Sequence, residues 1–262
     1  MTRGYFKHAT VKWAAGLWLL ATAVWDVWAP FPVWLYGLPV LAYLVAVSAG
    51  SARVCSQFFV PAVCRGHTGQ KQIALSFDDG PTAHTPAVLD LLKTYGMPAT
   101  FFCVGKQIEA FPHIFRRILA EGHRVGNHSY SHSYYFGFFP ASKVQRELKQ
   151  TDALIAEAAG QRPAWFRPPY GATNPMIARA LKKTGHTVIG WNVRSLDTLI
   201  RDEQKVVSRV LKKLKPDAIV LLHDRHTRIV PILQALLPQI KAAGYEVVPL
   251  EQLLNTRAYE RP

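Results

Sequence analysis

The 262 residues suffice for one large domain or two small ones with a buried core, which excludes a miniprotein held together by staples. With 49% hydrophobic and 18% charged residues, disorder is excluded for most of the chain. Lys plus Arg outnumber Asp plus Glu by 31 to 17, a formal charge of +14 that favours anionic partners without choosing among nucleic acid, anionic lipid and acidic polymers.

Two apolar runs lead the chain. Over residues 13–29 only Asp26 is charged, over 31–50 nothing is, and Pro30 and Pro32 separate the two. Each run approaches the roughly 20 residues that a bilayer-spanning helix needs. Trp13, Trp18, Trp25, Trp28, Trp34, Tyr36 and Tyr43 add amphipathic rings of the kind that collects at membrane interfaces. Residues 1–54 are therefore predicted to form a membrane-anchoring helical hairpin, with helices at about 13–29 and 31–50. A cleaved signal peptide fits less well, because a second run follows at once without a small-residue cleavage site. Arg3, Lys7 and Lys12 before the pair and Arg53, Arg65 and Lys71 after it put both ends in the cytoplasm by the positive-inside rule; if only the second run spans, the following domain lies outside. The expected location is the inner or plasma membrane with the side left open. Asp26 belongs either to the headgroups or to the hairpin interior.

Residues 55–70 read as a polar linker. Cys55, Cys64 and Cys103 form no CxxC pair and imply neither a disulfide framework nor a thiolate zinc site, and the first two can bridge only in an oxidising compartment. From 71 to 262 strand-like and helix-like segments alternate. A buried strand is predicted at 72–77, a helix over 85–95 closed by Gly96, and a second strand at 99–104, in which Cys103 is an inert core thiol. Apolar runs follow at 187–191, 218–222 and 245–248, separated by helical patterns at 141–159, 175–183 and 229–243. The class is α/β: a parallel sheet with helical cover, closed or nearly closed into a barrel, with functional residues at the strand C-terminal ends.

Four strings carry chemistry. Ser76-Phe77-Asp78-Asp79-Gly80-Pro81 ends the first strand with adjacent carboxylates, which call for a cation or proton to offset them. In His128-Ser129-Tyr130-Ser131-His132 the i, i+4 spacing would let both imidazoles reach one divalent ion from the same side of a helical turn, a carboxylate completing a catalytic set with open positions. Arg167-Pro168-Pro169-Tyr170-Gly171, after a third strand, offers a rigid fork for a carboxylate and the Tyr170 backbone N–H for an oxyanion. At 219–224 a strand ends in His223, a candidate general acid, with Asp224 read as the cap of a helix beginning near Arg228. The aromatic loop Tyr134, Tyr135, Phe136, Phe138, Phe139 suits core packing or a sugar- or membrane-facing rim.

Together the strings resemble the polysaccharide deacetylases of the NodB-homology type, carbohydrate esterase family four, over about residues 72–254. The resemblance implies a distorted (β/α) barrel, complete or incomplete, that removes acyl groups from N-acetylated sugars with one divalent metal, most often Zn2+. It makes Asp78 the general base, Asp79, His128 and His132 the metal ligands, and His223 the general acid. Arg167 would orient Asp78, and the Tyr170 N–H would steady the tetrahedral intermediate. The fourth motif departs from the family: in the string 191–198, Arg194 stands where an acid is common and Thr198 where Trp is common. Asp197 is the candidate to hold Arg167 or tune His223, with Asp202 in reserve.

The expected function is thus a membrane-anchored N-deacetylase of a polysaccharide such as peptidoglycan or a chitin-like glycan. The alternatives are a deacylase or deformylase of a lipid-linked amino sugar at the cytoplasmic face, and a catalytically silent glycan-binding protein. The partners are an N-acetylated glycan or glycolipid and a membrane. No nucleic acid is expected, since no recognised motif accompanies the positive charge.

Overall fold

The computed structural model describes residues 7–29 and 32–260; Arg3, Pro30 and Phe31, which entered the reading of the apolar runs, lie outside them. The chain opens with α1 (His8–Asp26) and α2 (Trp34–Ser51), which pack as an antiparallel hairpin. His8 Nε2 meets the Tyr43 hydroxyl at 3.0 Å and the Tyr36 hydroxyl donates to Thr22 O at 3.3 Å. Asp26 is exposed at the end of α1 and interacts with Tyr36, so it is not buried between the helices. Most large side chains of both helices face outward, including Trp13, Trp18, Trp25 and Leu41. Of the described helices, Trp34–Ser51 is the one long and apolar enough to cross a membrane by length and composition.

The stretch read as a linker carries structure. A short 3-10 turn, Val54–Ser56, leads to β1 (Ala62–Val63), which joins the sheet, and Cys55 and Cys64 on either side are disulfide-bonded. The sequence implied no disulfide framework but left this pair able to bridge in an oxidising compartment; the bond ties the hairpin's exit to the sheet.

The alternation then runs β2 (Gln72–Asp78), α3 (Thr85–Tyr95), β3 (Ala99–Cys103), α4 (Gly105–Ala110), α5 (Pro112–Ala120), β4 (Arg124–Asn127), α6 (Ala141–Ala159) and β5 (Trp165–Phe166). It continues with α7 (Pro175–Thr184), β6 (Thr187–Ile189), β7 (Val193–Arg194), α8 (Glu203–Lys213), β8 (Ala218–His223), α9 (Ile229–Ala242), β9 (Glu246–Val247) and α10 (Leu250–Leu254). All strand pairs are parallel, in the order β1-β6-β5-β4-β3-β2-β8-β7, with β9 against the start of β2. Every residue of β2 is buried, as in a strand covered on both faces. The path does not close by pairing β7 to β1, giving the curled, incomplete barrel expected; Arg65 reaches across to Ala218 by one antiparallel bridge.

Helix ends follow local chemistry. The α3 helix begins with Pro86 in its first turn and stops at Gly96, whose φ of 62° suits a residue without a Cβ. Asn174 caps α7 by accepting from Met176 N and Ile177 N. The main core fills the space between sheet and helices, with Phe77, Phe101, Leu89, Val220 and Leu236 fully or almost fully buried. This core holds the strands rigidly, so the loops at their C-terminal ends are placed with precision.

Candidate active site

Asp78, Asn127, Phe166 and His223 end β2, β4, β5 and β8, and the parallel register brings these ends to one rim, with Asp78 directly beside His223. Asp79 follows β2, His128 follows β4 and Arg167 follows β5. The i, i+4 histidines sit in a loop and not in a helical turn as expected. Ser129 and His132 have φ of 66° and 46°, and this left-handed path, not helical periodicity, turns both rings the same way. Their centroids are 4.8 Å apart. Asp79 also has positive φ, 77°.

The loop is held from behind by Glu147, a buried acid on α6. Its carboxylate accepts from Tyr130 N at 3.1 Å, Ser131 N at 2.7 Å and the Ser131 hydroxyl at 2.9 Å. The sequence signal was a Glu on the apolar face of a helical pattern, and it went unread.

Asp79, His128 and His132 each offer one ligand atom, all within 4.8 Å of one another. Asp79 Oδ1 lies 3.5 Å from His128 Nε2 and 3.2 Å from His132 Nε2. His128 Nδ1 is 2.7 Å from Arg167 O; a carbonyl only accepts, so Nδ1 carries the hydrogen and Nε2 presents its lone pair. Burial, then repulsion from His128, pushes His132 down to about 4, so it is neutral at neutral pH. Burial opposes ionisation of Asp79, but the bond from His128 and the imidazole charges around it hold its carboxyl below the usual carboxylate range. One carboxylate oxygen with His128 Nε2 and His132 Nε2 makes a donor set that fits a divalent cation such as zinc.

Arg167 is completely buried and reads Asp78 as the sequence suggested. One guanidinium nitrogen donates to Asp78 Oδ1 at 2.7 Å and to the Ser76 hydroxyl at 2.9 Å; the others meet Ile189 O at 3.2 Å and Gly190 O at 3.1 Å. The guanidinium also lies 3.9 Å over the Phe102 ring. Burial lowers the Arg167 pKa, and the Asp78 partner opposes this. Tyr170 adopts φ 60°, and its ring is 4.8 Å from that of His132.

Of the two tasks offered to Asp197, the structure selects His223. Asp197 Oδ1 accepts from His223 Nδ1 at 2.8 Å, and Oδ2 accepts from His223 N at 2.7 Å. Ser195 Oγ adds a bond of 2.8 Å and His226 Nε2 a longer one of 3.4 Å. Burial alone would raise Asp197, yet these bonds and the His223 charge hold it below the usual carboxylate range. Burial disfavours a charged His223, but Asp197, with Asp78 and Asp79 behind it, raises its pKa. Arg194 points its chemistry elsewhere: it is exposed on β7, and its carbonyl accepts from Arg209 Nε.

Two expectations need correction. Asp202 is outside the site; it caps α8 by accepting from Lys205 N at 3.0 Å. Asp224 does not cap α9, which begins at Ile229 with Arg228 as its N-cap residue and no side-chain cap. It is fully buried beneath Gly80, accepts from the Thr85 hydroxyl, and burial pushes its carboxyl up to about 7. Arg225 was missed altogether: its Nε lies 3.2 Å from Asp79 Oδ2. Nothing distinguished it in sequence from other surface arginines.

Residues 65–189 match the polysaccharide deacetylase family. The peptidoglycan-N-acetylglucosamine deacetylase PgdA of Listeria monocytogenes is 36% identical over 214 residues, 81% of this chain and 45% of that protein, so the chain spans less than half of its length. A peptidoglycan-N-acetylglucosamine deacetylase of Bacillus cereus is 35% identical over 196 residues, 71% of this chain and 89% of that protein. The solved chitin deacetylase of the fungus Colletotrichum lindemuthianum superposes with a TM-score of 0.71 at 27% identity, covering 76% of this chain and 95% of that one. By sequence, fold and the clustering of its four strings at one rim, the chain belongs to the polysaccharide deacetylase family of the NodB-homology type.

Proposed function

We propose that this chain is a membrane-anchored, metal-dependent hydrolase that removes N-acetyl groups from amino sugars of a polysaccharide, peptidoglycan or a chitin-like glycan. The observation that carries the reading is the convergence on one rim of three metal-type ligands, a carboxylate clamped by a buried arginine and a histidine clamped by a buried aspartate. The relatives' activity on N-acetylated polysaccharides supports the substrate class.

Asp79 Oδ1, His128 Nε2 and His132 Nε2 would hold the cation. When bound, a divalent ion, for which we expect zinc, polarises the amide carbonyl and makes water a better acid. Arg167 occupies Asp78 Oδ1, which leaves Oδ2 to take a proton from the attacking water. Asp197 fixes the His223 hydrogen at Nδ1 and stabilises its charged form, so Nε2 can deliver a proton to the departing amine. The Tyr170 N–H is assigned to the developing oxyanion. Water is consumed, the amide C–N bond breaks, and acetate and the free amine result.

The hairpin supports anchoring, and its antiparallel packing supports both helix ends lying on the domain's side. The Cys55–Cys64 bridge supports an oxidising compartment, hence a domain outside the cytoplasm, against the orientation suggested by the basic flanks.

Purified protein is assayed for metal content and for acetate released from chitooligosaccharides and peptidoglycan fragments. His128→Ala should lose both metal and activity. Asp78→Asn and His223→Ala should keep the metal while turnover falls by roughly 10²–10⁴. Full activity in both of the latter variants would remove the mechanism.

A further inference from the structure

Outside the catalytic cluster, one loop leaves large aromatic rings in water. Tyr134, Tyr135 and Phe138 are 78%, 64% and 85% exposed, whereas Phe136 between them is buried and Phe139 packs on the core. The backbone is not loose: Phe136 N donates to Ser133 O at 2.9 Å and Phe138 N to Tyr135 O at 2.8 Å. The rings are therefore held outward by an ordered turn. An exposed apolar group of this kind marks an interaction surface.

Its position tells what lies opposite. Asn174 donates through Nδ2 to Gly137 O, within the loop. The next residue back, Thr173, donates its N–H to Ser51 O at 3.0 Å and accepts from the Ser51 hydroxyl. Ser51 is the last residue of α2, so Gly137, Asn174, Thr173 and Ser51 join the aromatic loop to the domain-side end of the hairpin. The start of α1 lies at that same end, with His8 N donating to Phe58 O at 3.1 Å. At about 1.5 Å per residue, helices of 19 and 18 residues span about 27–29 Å, close to the hydrocarbon thickness of about 30 Å. With the hairpin in the bilayer, its domain-side end lies at headgroup level, and the tethered loop lies there too. Lys143 sits 3.6 Å over the Phe139 ring, and Lys106 and Lys143 line a cavity of about 510 Å³ with Tyr130 and Phe139. Cations beside aromatic rings suit an interface with anionic lipid.

We infer that the loop 134–139 is a membrane-contacting surface that rests on the same bilayer as the hairpin, so that the active site opens at the lipid surface and takes its glycan there. The link to the site is short: the Tyr134 ring is 6.2 Å from that of Tyr170, which packs on His132. The inference rests on the membrane-anchoring reading of the hairpin.

The test uses the full chain in phosphatidylcholine–phosphatidylglycerol vesicles containing lipid spin-labelled at a shallow or, in a parallel series, at a deep acyl position. A fluorophore is placed on Phe138→Cys, on Leu41→Cys in the hairpin, or on Lys213→Cys, which lies at the far end of α8 just before the start of β8. The native Cys55 and Cys64 are bonded and Cys103 is buried, so the introduced thiol is the reactive one. Quenching at positions 41 and 138 but not at 213 is expected. Quenching at 41 alone overturns the inference and leaves the hairpin reading standing; no quenching at 41 overturns both. Separately, Tyr135→Ser with Phe138→Ser should leave hydrolysis of soluble chitooligosaccharide unchanged and lower hydrolysis of a vesicle-bound glycolipid at least threefold. A raised KM for the soluble oligosaccharide would assign the rings to sugar stacking, and equal rates on the vesicle substrate would leave the loop no membrane role; either overturns the inference.

Discussion

His223 illustrates how one neighbour sets a role. A strand-end histidine in isolation would titrate near pH 6.5 and be mostly neutral at the pH of assay. Asp197 changes this by holding Nδ1–H and favouring the imidazolium; in the proposed mechanism the raised pKa keeps a proton available for the leaving amine. The sign follows directly: activity that needs protonated His223 is present below the raised value and is lost as pH climbs through it. Asp197→Asn removes the anionic partner, so the alkaline limb of the pH–rate profile should move to lower pH and turnover at pH 8 should fall at least tenfold. An unmoved alkaline limb would show that another group supplies the proton. Arg167 donates to Asp78, and its own complete burial makes it dependent on the carboxylate. Arg167→Ala would leave a buried anion without its partner, a change that costs about 3–5 kcal/mol; chemical denaturation of the variant measures it.

Turns rather than helices build the site at the next scale. Asp79, Ser129, His132 and Tyr170 all adopt positive φ, a conformation that costs a non-glycine residue about 1–3 kcal/mol. The surrounding hydrogen bonds offset it: Glu147 grips the 130–131 backbone, and Gly80 O accepts from Val104 N at 2.9 Å. Gly80 itself leaves no room for a side chain, because a Cβ there would stand 2.4 Å from Asp224 Oδ2. Gly80→Ala must displace either the buried Asp224 or the turn that carries Asp79. It should destabilise the domain by about 1–3 kcal/mol and weaken metal binding at least tenfold. Thermal unfolding and a metal titration check the two effects separately, and wild-type values in both would show that the turn adapts freely.

At the scale of the whole molecule, the hairpin and the domain meet at contacts that include the Ser51–Thr173 hydrogen bonds, the His8 N–H to Phe58 O bond, the packing of Gly50 on Phe58, and the bridge that follows at Cys55–Cys64. Trp191 lies at the centre of this junction, its carbonyl beside Cys55 and its ring against Gly171 of the catalytic loop. The same ring stands 5.5 Å from the Arg167 guanidinium, so the hairpin junction and the arginine that binds Asp78 share one side chain. The bridge closes a loop of sequence separation 9, for which chain entropy gives about 2–3 kcal/mol. Cys55→Ser should lower stability by that amount and be matched by reductant on the wild type. Alkylation of freshly isolated protein without reductant should leave Cys55 and Cys64 unmodified; complete alkylation of both would place the domain in a reducing compartment.

The sequence alone determined the α/β alternation, the limits of α3 and α6, and the four strings whose residues meet at the rim, though not Glu147 or Arg225. These depend on local periodicity, on turn formers such as Gly96, and on strings whose residue types have few other uses. Tertiary structure alone decided what each residue faces. That Asp197 serves His223 and not Arg167, that Asp224 lies under Gly80, and that Glu147 holds the histidine loop all depend on strands far apart in the chain meeting at one rim. Short strands such as β4 and β7 carry too few residues for a period to show, so only their pairing in the sheet identifies them. The i, i+4 histidines are the instructive case: the spacing pointed to a pair whose rings do converge, but for the wrong local reason, because a loop with two left-handed residues can bring two rings together as well as a helix does.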